Sequence, residues 1–295
     1  MKTLFLLMKS MRIYQWVKNT FILAPMIFAM QFFHIDYIVH ALVAFFLFSI
    51  VASCIYVFND CFDKEKDRLH PDKKDRPIAS GDLPVRKAVL LSSILLIVSL
   101  FAIFEFNIYF FFISVAYIIM NILYSSYLKR IVILDVIIIA IGFVMRVKIG
   151  GVVNHIELSP WILVITFLLA IFLGLIKRRQ ELIKISASEN GEVETRIALK
   201  QYNLSFLDQL ISITTATTLI SYVSYVLNPD IQLKFKTKQL YLTVPFVVFG
   251  IFRYLYLTYV KGKGENAAEI IFSDIPFTFN AFVWVLFFIL ILLYQ

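Results

Sequence analysis

The chain has 295 residues, of which 60% are hydrophobic and 16% are charged, and its mean hydropathy is +0.83. This composition excludes an ordinary water-soluble domain and predicts an integral membrane protein. The formal net charge is +8. We expect no nucleic-acid partner, because membrane topology and anionic substrates account for an excess of cations.

Apolar segments long enough to cross a ~30 Å hydrocarbon layer as helices recur along the whole sequence. No segment alternates as a membrane barrel strand does, so the predicted fold is an all-α bundle. We predict about nine transmembrane helices, near residues 15–33, 37–58, 87–106, 108–127, 131–149, 160–177, 206–227, 240–260 and 276–294.

The N-terminal residues 1–14 are predicted to form an interfacial amphipathic helix. Its basic residues Lys2, Lys9 and Arg12 are expected to face lipid headgroups. Its apolar residues are expected to face the lipid chains: Leu4, Leu7, Met8 and Met11. The helix would therefore lie on the membrane beside the first span.

The distribution of lysine and arginine predicts the orientation. Most of the 28 basic residues lie before the first span or in the loops after spans two, four, six and eight, whereas the opposite loops hold Lys234, Lys236 and Lys238. The N-terminus and the basic loops are therefore predicted to be cytoplasmic, in a bacterial-type cytoplasmic (inner) membrane. Two of these cytoplasmic loops, 59–86 and 177–205, are larger than a bundle requires. We expect them to form a cytoplasmic-side active-site cavity in a single catalytic domain, residues 1–295.

Three aspartates mark the end of the second predicted span. Asp60, Asp63 and Asp67 are spaced i, i+3 and i+7, which places them on one helical face. Mg²⁺ that also binds a diphosphate prefers such oxygen ligands and takes one or two carboxylates. We therefore predict a Mg²⁺ site formed by these aspartates. The alternative is a solvated helix end, which the membrane interface and the following segment 76–81 disfavour.

The motif Asn59-Asp60-x-x-Asp63-x-x-x-Asp67, followed by residues 75–81, resembles the first signature of the UbiA-type intramembrane prenyltransferase superfamily. Members of that superfamily bind a diphosphate through Mg²⁺ in a helical bundle. Further segments resemble its polyprenyl-phosphate phosphoribosyltransferase branch: 15–19 with 24–25, 124–125, 128–129, 135–136, 142–143 with Arg146, 150–151, 177–178 with 181–182, and 253–254. The resemblance covers about residues 11–294.

This resemblance implies transfer of a 5-phosphoribosyl group from phosphoribosyl pyrophosphate to a polyprenyl phosphate of the decaprenyl-phosphate type, with release of diphosphate. It implies that Asn59 and the three aspartates are catalytic. It also implies a set of substrate-binding residues: Lys18, Asn19, Lys73, Arg76, Tyr124, Lys129, Arg146, Lys177, Arg178 and Glu181. Lys177 and Arg178 are assigned to the ribose 5-phosphate or to the acceptor phosphate. Prenyl length and oligomeric state stay open, and an oligomer is compatible with the sequence.

Two alternative functions remain open. A UbiA-type prenyltransferase acting on an aromatic acceptor such as 4-hydroxybenzoate would usually carry a second aspartate-rich motif after span six. Residues 177–205 contain no aspartate, and the cations at 177–179 suit a phosphate that is not the leaving group. The alternative is that these cations only mark the cytoplasmic end of a membrane span, with their side chains reaching to the membrane surface. A transporter would place its site near the bilayer midplane, whereas these polar residues lie at helix ends.

Two arginines fall inside predicted spans, where an unpaired charge costs at least ~2.5 kcal/mol. We therefore expect Arg146 and Arg253 to be functional or internally paired. Glu157 and Asp274 are the candidate partners.

Overall fold

The computed structural model describes residues 2–69, 73–187, 198–263, 270 and 273–294. Regular secondary structure in these ranges is helical. The α-helices are α1 Lys2–Ser10, α2 Ala24–Phe28, α3 Ile35–Phe62, α4 Lys64–Leu69, α5 Val85–Phe106, α6 Ile108–Ser126, α7 Leu134–Val153, α8 Pro160–Ala187, α9 Leu204–Leu227, α10 Pro229–Lys234, α11 Val244–Tyr259 and α12 Ile275–Leu293. Four 3₁₀ segments join them: Ile13–Leu23, Leu128–Arg130, Leu199–Gln201 and Gln239–Thr243.

Within the described ranges, 8 helices are long and apolar enough to cross a membrane: α3, α5, α6, α7, α8, α9, the segment Gln239–Tyr259 that contains α11, and α12. The protein is therefore an all-α integral membrane protein, as the composition predicts. Eight of the predicted spans correspond to these helices, although several boundaries differ. Among these eight, the sixth predicted span, 160–177, is extended most, because α8 continues to Ala187. The basic residues at 177–179 therefore lie within this helix.

The predicted first span, 15–33, is not a continuous α-helix. It consists of the 3₁₀ segment Ile13–Leu23 and the short helix α2. Pro25 lies at the start of α2 and lacks the N–H that a continuous helix would use there. Trp16 Nε1 donates to Ser53 Oγ at 2.9 Å, and Asn19 Nδ2 donates to Ser49 Oγ at 2.9 Å. The segment therefore runs antiparallel along α3. Because a 3₁₀ helix rises about 2 Å per residue, it covers more length than an α-helix of equal residue number.

The chain divides into two compact units, one of residues 1–158 with 192–197 and one of residues 159–191 with 198–295. In the first unit, α3 packs against α5, α7 and the 3₁₀ segment Ile13–Leu23. The apolar core between these elements includes Phe48, Ile103, Phe110 and Ile149. In the second unit, α8 packs along α9, and α11 packs against α12.

Helix α1 does not lie on the lipid in the predicted manner. Leu7 is only 2% exposed and belongs to an apolar cluster with Val57, Ile78, Leu83 and Ala88. Met11 packs against the same cluster, whereas Leu4 and Met8 are exposed. The prediction that Leu7 faces lipid is wrong, because α1 covers the end of α3 and the loop that follows it.

Candidate active site

The aspartate motif begins at the end of α3 and continues into α4. Asp63 N donates to Asn59 O at 2.9 Å, and Asp67 N donates to Asp63 O at 2.8 Å. Helical hydrogen bonding therefore continues across the junction and keeps the motif in register. Asp60 and Asp67 are each 4% exposed, whereas the Asp63 side chain is 35% exposed. This burial argues against a merely solvated helix end, since an ionised carboxylate is rarely buried unless it is paired.

Basic side chains contact all three carboxylates. Arg76 Nη1 lies 3.1 Å from Asp60 Oδ1 and 2.6 Å from Asp67 Oδ2. Lys129 Nζ lies 3.2 Å and 3.1 Å from the two oxygens of Asp63. Arg12 Nη2 also donates to Asp60 Oδ1. We call Arg12, Asp60, Asp63, Asp67, Arg76 and Lys129 the charged cluster.

The segment after the aspartates forms a turn that holds Arg76. Ser80 N donates to Arg76 O at 2.8 Å, and Leu83 N donates to Pro77 O at 2.7 Å. Arg68 Nε bonds the Ala79 carbonyl at 2.9 Å. Gly81 adopts φ +90°, a left-handed conformation that favours glycine. Residues 76–81, which carry part of the family resemblance, therefore have a local structural role in presenting the Arg76 side chain.

Two further contacts tie neighbouring elements to the cluster. Ser125 Oγ donates to Asn59 Oδ1 at 2.7 Å, which links α6 to the end of α3 and fixes the Asn59 amide. Arg12 Cζ lies 5.5 Å from the centre of the Tyr56 ring, within cation–π distance. Arg12 adopts the left-handed conformation, with φ 51° and ψ 55°. It was expected at the headgroups, and its pairing with Asp60 corrects that prediction.

Arg146 and Asn19 form a separate buried network. Arg146 Nε donates to Asn19 Oδ1 at 2.7 Å, Nη1 to Gly142 O at 2.7 Å and Nη2 to Tyr117 OH at 3.0 Å. Phe48, Tyr117 and Phe143 surround the guanidinium with ring centres at 5.0–5.5 Å. Asn19 bonds Ser49, eleven positions before Asp60 on α3, which is about 16 Å of helical rise. This network is therefore distinct from the charged cluster.

The remaining candidates in the first unit, Lys18, Lys73 and Tyr124, are half-buried. The cations predicted after span six lie on α8 in the second unit. Lys177 is exposed, whereas Arg178 is 2% exposed. Arg178 Nη1 lies 2.6 Å from Glu181 Oε2. Part of the predicted loop 177–205, residues 188–197, lies outside the described residues.

Two other arginines of the second unit are paired with aspartates. Arg179 Nε lies 2.6 Å from Asp208 Oδ1. Arg253 forms two contacts with Asp274, at 3.0 Å and 2.9 Å, which confirms one of the two expected partners. The hydrogen bonds from Arg253 hold the pKa of the Asp274 carboxyl below its ordinary value.

The carboxylates of the charged cluster are the oxygen donors that a Mg²⁺ ion would use. Within the described ranges, no three histidine, cysteine, aspartate or glutamate side chains converge on one point as a preformed cation site. However, Asp60 and Asp67 both contact the same nitrogen of Arg76, so their carboxylates are close together. Mg²⁺ needs only one or two protein carboxylates when phosphate oxygens and waters complete its shell. The donor set therefore fits a magnesium ion that is bound together with a diphosphate.

The sequence profile of the UbiA prenyltransferase family matches residues 20–272. The chain belongs to this family. The match confirms the resemblance that the aspartate motif carries.

The chain is similar to two named relatives and to one solved structure. The chain is 31% identical to the decaprenyl-phosphate phosphoribosyltransferase of Mycolicibacterium smegmatis, over 76% of this chain and 71% of that protein. It is 28% identical to the protein of the same name from Mycobacterium tuberculosis, over 75% and 74% of the two chains. A UbiA homolog from Archaeoglobus fulgidus bound to GPP and Mg²⁺ superposes with a TM-score of 0.68 at 17% identity, over 97% and 99% of the two chains. This last similarity supports the UbiA fold.

Sequence reasoning missed three residues that contact candidate site residues in this UbiA-family chain. Arg12 was assigned to the membrane surface because no sequence period reveals a left-handed turn. Ser125 lies in a segment that carries the resemblance, but its hydroxyl was not assigned a role. Asp208 was missed because the search for aspartates covered only the loop 177–205. Asp208 lies three positions beyond that loop, on α9.

Proposed function

We propose that this UbiA-family protein transfers the 5-phosphoribosyl group of phosphoribosyl pyrophosphate to a polyprenyl phosphate of the decaprenyl-phosphate type. The observation that carries the proposal is the charged cluster, in which two buried carboxylates and one partly exposed carboxylate are paired with cations. Such a site offers carboxylates to Mg²⁺ and cations to a diphosphate. The two relatives named decaprenyl-phosphate phosphoribosyltransferase support this donor and acceptor over the other substrates used by the family.

The residues of the cluster have different roles in this proposal. Asp60, Asp63 and Asp67 hold the magnesium, with Asp60 and Asp67 as the primary pair because Arg76 already brings them together. When bound, the ion supplies Lewis-acid stabilisation of the charge on the leaving diphosphate. When the donor binds, Arg76 and Lys129 move their hydrogen bonds from the aspartates to the diphosphate oxygens. They then compensate the negative charge of the diphosphate. Asn59, oriented by Ser125, positions the diphosphate or its ion.

The acceptor needs little activation. Its phosphate oxygen is already ionised, so it attacks C1 of the ribose without a strong general base. A bond forms between that oxygen and C1, while the bond from C1 to the diphosphate oxygen breaks and the diphosphate leaves with the electron pair. The prenyl tail lies among the membrane helices. Lys177 and Arg178 neutralise a phosphate other than the leaving diphosphate, either the ribose 5-phosphate or the acceptor phosphate. Glu181 orients Arg178.

The orientation follows from the charge distribution and is part of the proposal. The N-terminus, the charged cluster and the basic end of α8 face the cytoplasm in a bacterial-type inner membrane. Phosphoribosyl pyrophosphate is then accessible from the aqueous side, where such a highly charged donor must remain. The two units act together as one catalytic domain.

The test uses the purified full chain in detergent or lipid with Mg²⁺. Labelled phosphoribosyl pyrophosphate and a polyprenyl phosphate should give a lipid-extractable labelled product together with free diphosphate. A parallel reaction with a prenyl diphosphate and 4-hydroxybenzoate should give no prenylated product. Prenylation in the second reaction, with the ribose label remaining in water in the first, would assign the chain to the aromatic prenyltransferases instead.

A further inference from the structure

Tyr56 lies on α3 beside the charged cluster. Tyr56, Asp60 and Asp63 are spaced i, i+4 and i+7, which places the tyrosine on the helical face that carries the aspartates. Four residues correspond to about 6 Å of helical rise, so Tyr56 lies that much deeper in the membrane segment than Asp60. The face that carries the aspartates therefore continues into the membrane with a tyrosine.

The Tyr56 ring has a defined place beside Arg12. Arg12 Cζ lies 5.5 Å from the ring centre, within cation–π distance. The same guanidinium donates to Asp60 Oδ1, so the charged cluster determines its position. The ring is therefore held next to the cluster by a contact that does not involve the hydroxyl.

The Tyr56 hydroxyl is available to a ligand. Tyr56 is half-buried, and no residue in the described part of the chain forms a hydrogen bond with its hydroxyl. Its oxygen is not sealed from solvent, in contrast to the hydroxyls of Tyr225 and Tyr254, which are buried without a partner. A tyrosine hydroxyl that faces an apolar environment usually finds a hydrogen-bond partner. An acceptor group of a substrate would supply that partner.

The electrostatic environment of this hydroxyl favours an anion. The guanidiniums of Arg12 and Arg146 both stabilise negative charge at its position. Asp60 lies one turn away, and its carboxylate is compensated by Arg12 and Arg76. A phosphate beside Tyr56 would therefore meet a hydrogen-bond donor in a region of positive potential.

The geometry of the proposed reaction indicates which phosphate this is. The attacking oxygen approaches C1 of the ribose from the side opposite the leaving diphosphate, and it lies about 3–3.5 Å from C1 before the bond forms. The diphosphate is assigned to the aspartates at the end of α3. The acceptor is anchored in the membrane by its prenyl tail, so its phosphate reaches C1 from the membrane side. A hydroxyl about 6 Å deeper than Asp60 lies on that side.

We propose that the Tyr56 hydroxyl donates a hydrogen bond to the phosphate of the polyprenyl phosphate acceptor, an inference that rests on the proposed phosphoribosyl transfer. The bond positions the acceptor oxygen for attack on C1. The hydroxyl keeps its proton throughout, because the ionised acceptor phosphate needs no general base. Tyr56 is therefore a substrate-binding residue, and the contact uses side chains of the first unit alone.

The experiment measures KM for each substrate in Tyr56→Phe, with the purified full chain and Mg²⁺. Phenylalanine keeps the ring beside Arg12 and removes only the hydroxyl. We expect the acceptor KM to rise about 10-fold, as the loss of one hydrogen bond to a charged group predicts, and the donor KM to stay within about twofold of the wild type. Thermal unfolding should be unchanged, because the hydroxyl bonds no described residue. The control is Tyr109→Phe, which removes an exposed hydroxyl from α6 and should match the wild type throughout.

Equilibrium binding in the absence of the donor separates the phosphate from the tail. The Kd for the polyprenyl phosphate should rise in Tyr56→Phe by the same factor as the acceptor KM, whereas binding of the unphosphorylated polyprenol should be equal in the two proteins. Weaker binding of the polyprenol would assign Tyr56 to the groove for the tail and overturn the proposal. An unchanged acceptor KM, or a rise in the donor KM alone, would overturn it while phosphoribosyl transfer stood. Absence of any phosphoribosyl transfer by the wild type would overturn both proposals.

Discussion

Arg146 Nε donates a 2.7 Å hydrogen bond to Asn19 Oδ1, although the two residues are far apart in sequence. Both are almost fully buried, at 4% and 2% exposed. The bond joins α7 to the 3₁₀ segment Ile13–Leu23 and connects through Asn19 to Ser49 of α3. This geometry fits a clamp between three elements of the first unit, and it gives the two residues a structural role beside the substrate-binding role that the family resemblance implies.

We predict that Arg146→Met lowers the stability of the protein by about 2–4 kcal/mol, because it leaves buried acceptors such as Asn19 Oδ1 without a donor. Thermal unfolding in detergent measures the change. Arg146→Lys should recover only part of it, since an ammonium cannot reproduce the guanidinium fork. The control is Arg86→Met, which removes an exposed arginine from α5. A wild-type unfolding temperature combined with lost activity would instead support a substrate-binding role for Arg146.

Each of Asp60→Asn and Asp63→Asn should reduce the rate more than 10-fold while the protein stays folded. The amide keeps the shape of the side chain but loses the charge that attracts Mg²⁺. The matched control is Asp82→Asn, an exposed carboxylate of the same loop that bonds Ser80. EDTA should abolish turnover, and added Mg²⁺ should restore it. A variant that kept more than about a tenth of the rate, a barrier change of only ~1.4 kcal/mol, would not have lost a metal ligand.

Lys177→Ala should raise the KM for one of the two phosphorylated substrates, the donor or the acceptor, about 10-fold or more, with little effect on expression. The control is Lys184→Ala, another exposed lysine of the same helix two turns later. If Lys177 only satisfied the positive-inside rule, the two variants would behave alike, since many other basic residues maintain the topology. Equal KM values for both substrates in the two variants would therefore reduce Lys177 to a topological role.

Gly150→Ala should destabilise the first unit. A Cβ at this position would lie 1.9 Å from Ile22 O, a backbone atom that cannot move independently. Overpacking of this kind typically costs about 1–3 kcal/mol. Gly250→Ala is the control, because its Cβ would meet only Asn280 Nδ2 at 3.5 Å, and alanine improves helix propensity by about 1 kcal/mol. We expect the unfolding temperature to fall for the first variant only; a fall of equal size in both would point to a general helix effect.

Much of the fold could be predicted from the sequence because membrane helices depend on the local property of hydrophobic length. The segment 15–33 was the exception, since Pro25 and side-chain bonds to α3 determine its conformation. Hydropathy registers how apolar a segment is, and it does not register the type of helix. Similarly, α1 has an amphipathic pattern, but the pattern does not distinguish lipid from the cluster around Leu7.

The site could be predicted in part. The helical spacing of Asp60, Asp63 and Asp67 is a local signal, and their common face was predictable for that reason. Their cationic partners Arg12 and Lys129 come from distant parts of the chain, and only tertiary structure brings them to the carboxylates. The pairing of Arg179 with Asp208 was missed for the same reason.

The contact between Arg12 and Asp60 leads to the last prediction. We expect Arg12→Ala to lower kcat/KM about 10-fold or more, because it removes one of two guanidiniums that compensate the buried Asp60 carboxylate. Arg12→Lys should retain more activity, since the charge remains. The Mg²⁺ concentration needed for half-maximal rate should also change in Arg12→Ala, because the charge balance at Asp60 is altered.

The matched control is Lys9→Ala, which removes an exposed charge from the end of α1. Both residues precede the first membrane segment, so a general role in membrane attachment would affect both variants alike. Arg12→Gly separates the backbone from the charge, because glycine adopts the left-handed conformation at φ 51° without strain. Arg12→Gly should be as inactive as Arg12→Ala if the guanidinium matters. Wild-type kinetics in Arg12→Gly would show that residue 12 matters only through its left-handed backbone conformation, and that its guanidinium is not needed.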